Sequence, residues 1–70
     1  MKRVMVGSEL YLKLMHYAHN ELGIPLVYYI RDSFKGRMLL DPMITNGYCA
    51  VIDFSDDECY TWFILQWYFK

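Results

Sequence analysis

No stretch of this 70-residue chain is apolar for long enough to cross a bilayer as a helix. Its longest charge-free aromatic run, 59–69, reaches about half of the roughly 20 residues a spanning helix needs. Cysteine is scarce. Cys49 and Cys59 are too few for a disulfide framework, and the expectation is two reduced, partly buried thiols. An excess of positive charge is missing as well. The 7 basic residues are scattered and balanced by 8 acidic ones, so direct nucleic-acid binding, which needs a concentrated cationic surface, is not expected. The first residues, Met1-Lys2-Arg3-Val4-Met5-Val6-Gly7, interrupt their apolar stretch at Gly7, well short of the about 7–15 residues of a secretory core. The expected location is therefore the cytoplasm. With no repeat, linker or low-complexity segment, 1–70 reads as a single small domain.

Catalytic signatures are also lacking. There is no G-x-S-x-G, no glycine-rich phosphate loop and no H-E-x-x-H, so neither an enzyme nor a cofactor is expected. Ser8, Ser33 and Ser55 fall at cap or turn positions. Adjacent acids at a helix start do not provide the buried, split carboxylate pair that acid–base chemistry needs.

What the chain has in abundance is aromatic side chains: 7 Tyr, 4 Phe and 2 Trp, within a composition that is 56% hydrophobic. Such a chain is too apolar to remain disordered. A domain of this size nevertheless buries only about 60% of its unfolded surface, so some rings are expected to stay exposed.

Lys2 to Val6 reads as a strand. Gly7-Ser8 offers a helix cap, and Leu10, Leu14, Tyr17, Ala18 and Leu22 form an amphipathic stripe, predicting a helix over 8–22 that Gly23 and Pro25 end. Leu26-Val27-Tyr28-Tyr29-Ile30 is rich in β-formers and predicts a strand, with 37–40 as its hairpin partner and Asp41-Pro42 as the stop. Asn46-Gly47 marks a turn before a central strand at 48–54. Ser55-Asp56-Asp57-Glu58 reads as a capping box, predicting a helix over 56–64 and then a short terminal strand. A helix continuing to Lys70 is the competing reading, because Cys59, Trp62, Phe63 and Gln66 also have helical spacing. The resulting fold class is α+β: two helices on a small, mainly antiparallel sheet of 3–4 strands, with a compressed ferredoxin-like split βαβ as the leading topology.

The segment 51–67 bears on function. Val51 and Phe54, then Asp56-Asp57-Glu58-Cys59-Tyr60-Thr61-Trp62-Phe63-Ile64-Leu65-Gln66-Trp67, resemble a pattern in short accessory proteins of large tailed bacteriophages. There a strand ending in Phe leads through an acidic cap to an aromatic helix. This chain departs from the pattern in carrying Cys59 or Thr61 where alanine is usual. The resemblance implies an early protein that binds and blocks a host protein, often of defence or transcription, and no catalytic residue comes with it.

Read from the residues themselves, the acids Asp56, Asp57 and Glu58 complement a helix dipole and also form, with Asp53, the densest charge cluster, able to steer docking onto a basic groove. Tyr60, Trp67, Tyr68 and Phe69 belong to an aromatic run that is apolar nearly all round. Trp62 and Phe63 are read as core. The acids and the remaining rings make up the candidate partner-binding face, with self-association through it also expected. An oligomeric pocket sandwiching a planar ligand between rings, or a nucleotide, is the alternative, and Trp67, Tyr68 and Phe69 also suit a membrane surface, though Lys70 alone supplies charge there. His16 and His19 share a helix face at i, i+3. Joined by Cys49 and Cys59 they form a possible zinc set, but the cysteines lack tight pairing and no metal is assigned.

Overall fold

A computed structural model describes residues 2–68, and Phe69 therefore lies outside the described residues. The elements are β1 (Lys2–Val6), α1 (Ser8–His16) continued by a π-helical segment (Tyr17–Leu22), α2 (Leu26–Phe34), β2 (Gly36–Leu39), α3 (Pro42–Thr45), β3 (Ala50–Phe54) and α4 (Asp57–Trp67). The three described strands form one antiparallel sheet in the order β1-β3-β2. The class is thus α+β with a small antiparallel sheet.

The helix expected over 8–22 is present, but its last turns widen to π geometry. Each residue then advances less around the axis. Leu14 and Ala18 on the expected stripe are fully buried, whereas Leu22 is 43% exposed. Gly23 ends the segment in a left-handed conformation (φ 68°), and the Ile24 N–H donates to the Ala18 carbonyl at 3.0 Å, closing the end.

The strand expected at 26–30 is instead helix α2. Leu26, Tyr29, Ile30 and Phe34 are buried at helical spacing while Val27, Tyr28 and Arg31 face solvent, so burial of one helical stripe overrides the local β preference. Strand β2 consequently pairs with β3 rather than with 26–30, and the split βαβ order is not the order seen. Asp41 does more than stop a strand. Its carboxylate accepts from the Met43 N–H at 3.0 Å and, with Pro42 in the first turn, starts the short helix α3. Asn46 and Gly47 both take positive φ, as the turn requires.

Val4, Val6, Ala50, Ile52 and Phe54 line the sheet face that meets Leu14, Ala18, Leu26, Ile30 and Phe63. Gly36 sits where β2 passes closest to α2. A Cβ there would lie 2.8 Å from Ile30 Cγ2 and 2.9 Å from Ile52 Cγ2. Much of the aromatic abundance is absorbed by one chain of rings through this core. Tyr17 meets Tyr29 and Trp67 at 5.3 and 5.6 Å between centroids, Tyr29 meets Phe34 at 5.5 Å, and Phe34 meets Phe63 edge-on at 5.1 Å. Phe63 in turn meets Phe54 at 5.3 Å, and Phe54 meets Tyr60 at 5.9 Å. Such pairs add about 0.5–1.5 kcal/mol each beyond the area they bury.

Candidate functional site

The candidate site is α4. Among the described residues the expected terminal strand is absent, because helix continues through Trp67. Asp56, rather than Ser55, is its cap: the Asp56 carboxylate accepts from the Glu58 N–H at 2.8 Å. The helix thus starts one residue later than the capping box predicts, with Asp57 and Glu58 in the first turn beside its positive end. Asp53, grouped with these acids in sequence, is held apart on the sheet by Arg3. Arg3 Nε and Nη2 donate to its two carboxylate oxygens at 2.6 and 3.0 Å.

Helical periodicity then divides the side chains of α4. Cys59, Tyr60, Phe63, Ile64 and Trp67 pack against the core. Asp57, Glu58, Thr61, Trp62 and Leu65 face solvent, and Tyr68 follows just beyond the last turn. This corrects the reading of Trp62 as core: Phe63 is fully buried, but Trp62 is 59% and Leu65 52% exposed. The outward face therefore begins with two carboxylates and continues into an indole and a leucine, spanning about 16 Å from Asp57 to Tyr68. Neither Asp57 nor Glu58 has an ion-pair partner among the described residues.

The other expected site residues separate by role. Trp67 is half-buried, and its Nε1–H donates to the Tyr29 hydroxyl at 3.3 Å, tying the end of α4 to α2. Burial raises the Tyr29 phenol above its ordinary pKa, and the Trp67 hydrogen bond acts in the opposite sense. Tyr60 is half-buried against Phe54, with Lys2 Nζ 5.8 Å from its ring centroid. Tyr68 is exposed, but its hydroxyl donates to the Met5 carbonyl at 3.2 Å, and partial burial raises this phenol too, with Tyr60 and Tyr48 adding to the effect.

Beside Trp67, two open clefts of about 330 and 340 Å³ run along α1 and meet at Lys13. His16 lines one of them, while His19 lines a different cleft with Gly23, Ile24 and Pro25. The change to π geometry falls between the two histidines. Cys49 is exposed and Cys59 half-buried, both as free thiols. Among the described residues no group of three or more His, Cys, Asp and Glu is placed to hold a metal ion, and no helix is long and apolar enough to cross a membrane.

The sequence reading missed the charged row on the second sheet face, opposite the one that packs on Leu14, Ile30 and Phe63. There Arg3 and Arg37 flank Asp53 in register, and in the next row Val51 is fully buried between the half-buried Met5 and Leu39. Its signal was the period-2 alternation of 50–54, which sends Val51 and Asp53 to the face opposite Ile52 and Phe54. The signal for Trp62 and Leu65 was their spacing with Glu58 at i, i+4 and i+7.

The chain matches no protein-family model, no curated protein and no solved structure.

Proposed function

We propose that this protein is a non-enzymatic protein-binding module that acts by occluding a host protein, with the outward face of α4 as its contact surface. The observation that carries this reading is the placement of Trp62 and Leu65 in solvent, in line with the unpaired Asp57 and Glu58. Contiguous exposed apolar side chains, here an indole one helical turn from a leucine, are the kind of patch that marks interaction surfaces. Trp is also among the residues that dominate binding energy once desolvated.

The acids give the face its polarity. They favour a partner with basic residues at one end of an apolar groove, speed encounter and set orientation. Asp56 fixes the helix start, while Tyr60 and Trp67 anchor the inward side, so the face is presented on a rigid element. The resemblance of 51–67 to phage accessory proteins supports a host component of defence or transcription as the target, met in the host cytosol.

The test is affinity capture from a bacterial host lysate with three baits of equal thermal stability: the unmodified chain, Trp62→Ala, and Leu12→Ser as an exposed control on α1. A partner retained by Leu12→Ser and lost by Trp62→Ala supports the reading. A partner held equally by all three contradicts it.

A further inference from the structure

Asn46 and Gly47 form an exposed turn between α3 and β3. Both take positive φ, 48° and 94°, and the Tyr48 N–H donates to the Thr45 carbonyl at 3.0 Å across them. Thr45 is buried, which anchors that bond. The Gly47 N–H has no hydrogen-bond partner among the described residues, and a Cβ built on Gly47 would meet nothing within 4 Å. Solvent therefore reaches both the Asn46 amide and the adjacent backbone nitrogen, which carries no side chain to hinder it. Torsion is what keeps the two apart. At ψ 49° the Gly47 nitrogen stands on the far side of the Cα–C bond from the Asn46 Cβ. Attack on Cγ needs both on the same side, a rotation of about half a turn, and reacting atoms so misplaced do not react.

We propose that Asn46 is a deamidation site that the folded turn holds shut and that local opening of the connection between β2 and β3 releases. On opening, the Gly47 nitrogen attacks Asn46 Cγ. The N–Cγ bond forms as the Cγ–Nδ2 bond breaks, the nitrogen's proton passes to water, and Nδ2 leaves as ammonia. Water then opens the five-membered imide at either carbonyl. Opening at Cγ leaves aspartate, and opening at the main-chain carbonyl leaves isoaspartate, whose backbone runs through Cβ. In sum a water is consumed and an ammonia released, with no oxidant or reductant. Either product places a new carboxylate between Thr45 and Tyr48, and isoaspartate also lengthens by one atom a turn that the Tyr48 N–H closes. Asn20, the other asparagine, precedes Glu21 inside the π-helical segment, where helix fixes its torsion and a side chain hinders the next nitrogen. The reaction is thereby confined to Asn46.

The test follows ammonia release, and the mass of proteolytic peptides spanning 46–47, from the full chain at neutral pH across a series of guanidinium chloride concentrations. The expected modification is at Asn46, at least about tenfold slower in the folded chain than in the unfolded one. Below the unfolding transition its rate should be nearly independent of denaturant, because opening a few residues exposes little surface. Asn46→Gly, which suits the positive φ, should abolish the release and leave the unfolding transition in place. Equal rates in the folded and unfolded chains overturn the inference. So does a rate that follows the unfolded fraction throughout, or modification that falls first on Asn20.

Discussion

Trp62 and Trp67 lie five residues apart on one helix, about 140° around its axis, and meet opposite surroundings. Trp67 is half-buried, edge-on to Tyr17 and hydrogen-bonded to Tyr29, whereas Trp62 is 59% exposed. Truncating them should therefore have opposite consequences. Trp67→Ala is expected to cost about 2–4 kcal/mol of stability, at or below the range for buried aromatic truncations. Trp62→Ala should stay within about 0.5 kcal/mol of the unmodified chain, as surface substitutions do. Urea denaturation followed by far-ultraviolet circular dichroism checks both values.

Gly36 provides a test of the close approach between α2 and the sheet. An added Cβ would stand 2.8 Å from Ile30 Cγ2, 2.9 Å from Ile52 Cγ2 and 3.1 Å from Phe54 Cε1, and all three neighbours are buried. Gly36→Ala is expected to destabilise by about 1–3 kcal/mol through overpacking. A midpoint at or above that of the unmodified chain would show that the contact is looser than described.

The start of α4 depends on Asp56 rather than Ser55. Asp56→Ala removes the acceptor for the Glu58 N–H and should cost about 1 kcal/mol, while Ser55→Ala should change little. Equal losses for the two variants, measured by thermal unfolding, would return the cap to Ser55.

The Arg3–Asp53 pair predicts a pH dependence with a definite sign. The hydrogen bonds from Arg3, with its charge and that of Arg37, hold the Asp53 carboxyl below the usual carboxylate range. A carboxylate depressed in the folded state contributes stability that is fully present above its unfolded pKa, near 3.9, and is lost as pH falls through the folded value. The difference in melting temperature between the unmodified chain and Asp53→Asn should thus be constant above about pH 5 and shrink below about pH 4. A difference that grows on acidification would contradict the assignment.

These residues also show where sequence pattern sufficed. The 8–22 stripe was legible because Leu14 and Ala18 repeat at helical spacing and Gly23 and Pro25 bound it. The central strand was legible because β-branched and aromatic residues alternate into a face that is buried, although it begins at Ala50 rather than at 48. The segment 26–30 misled because Val27, Tyr28, Tyr29 and Ile30 favour strands locally. What decided it was the longer pattern, since Leu26, Tyr29, Ile30 and Phe34 share a face only in a helix. The site was legible as a location, an acidic cap followed by crowded rings, but not in its orientation. From Cys59 to Trp67 only Thr61 and Gln66 are polar, too few to mark the outward side plainly, and Trp62 and Trp67 exchanged their expected roles.

Fluorescence offers the most direct test of α4 as the contact surface. The chain has 2 Trp residues, so Trp67→Phe, which keeps an aromatic ring against Tyr17, leaves Trp62 as the sole reporter. The measurement is iodide quenching of this variant, free and saturated with the captured partner. Burial of the contact predicts a blue-shifted emission and a quenching constant that falls severalfold on binding. An unchanged spectrum and unchanged quenching with partner bound would place the interface elsewhere.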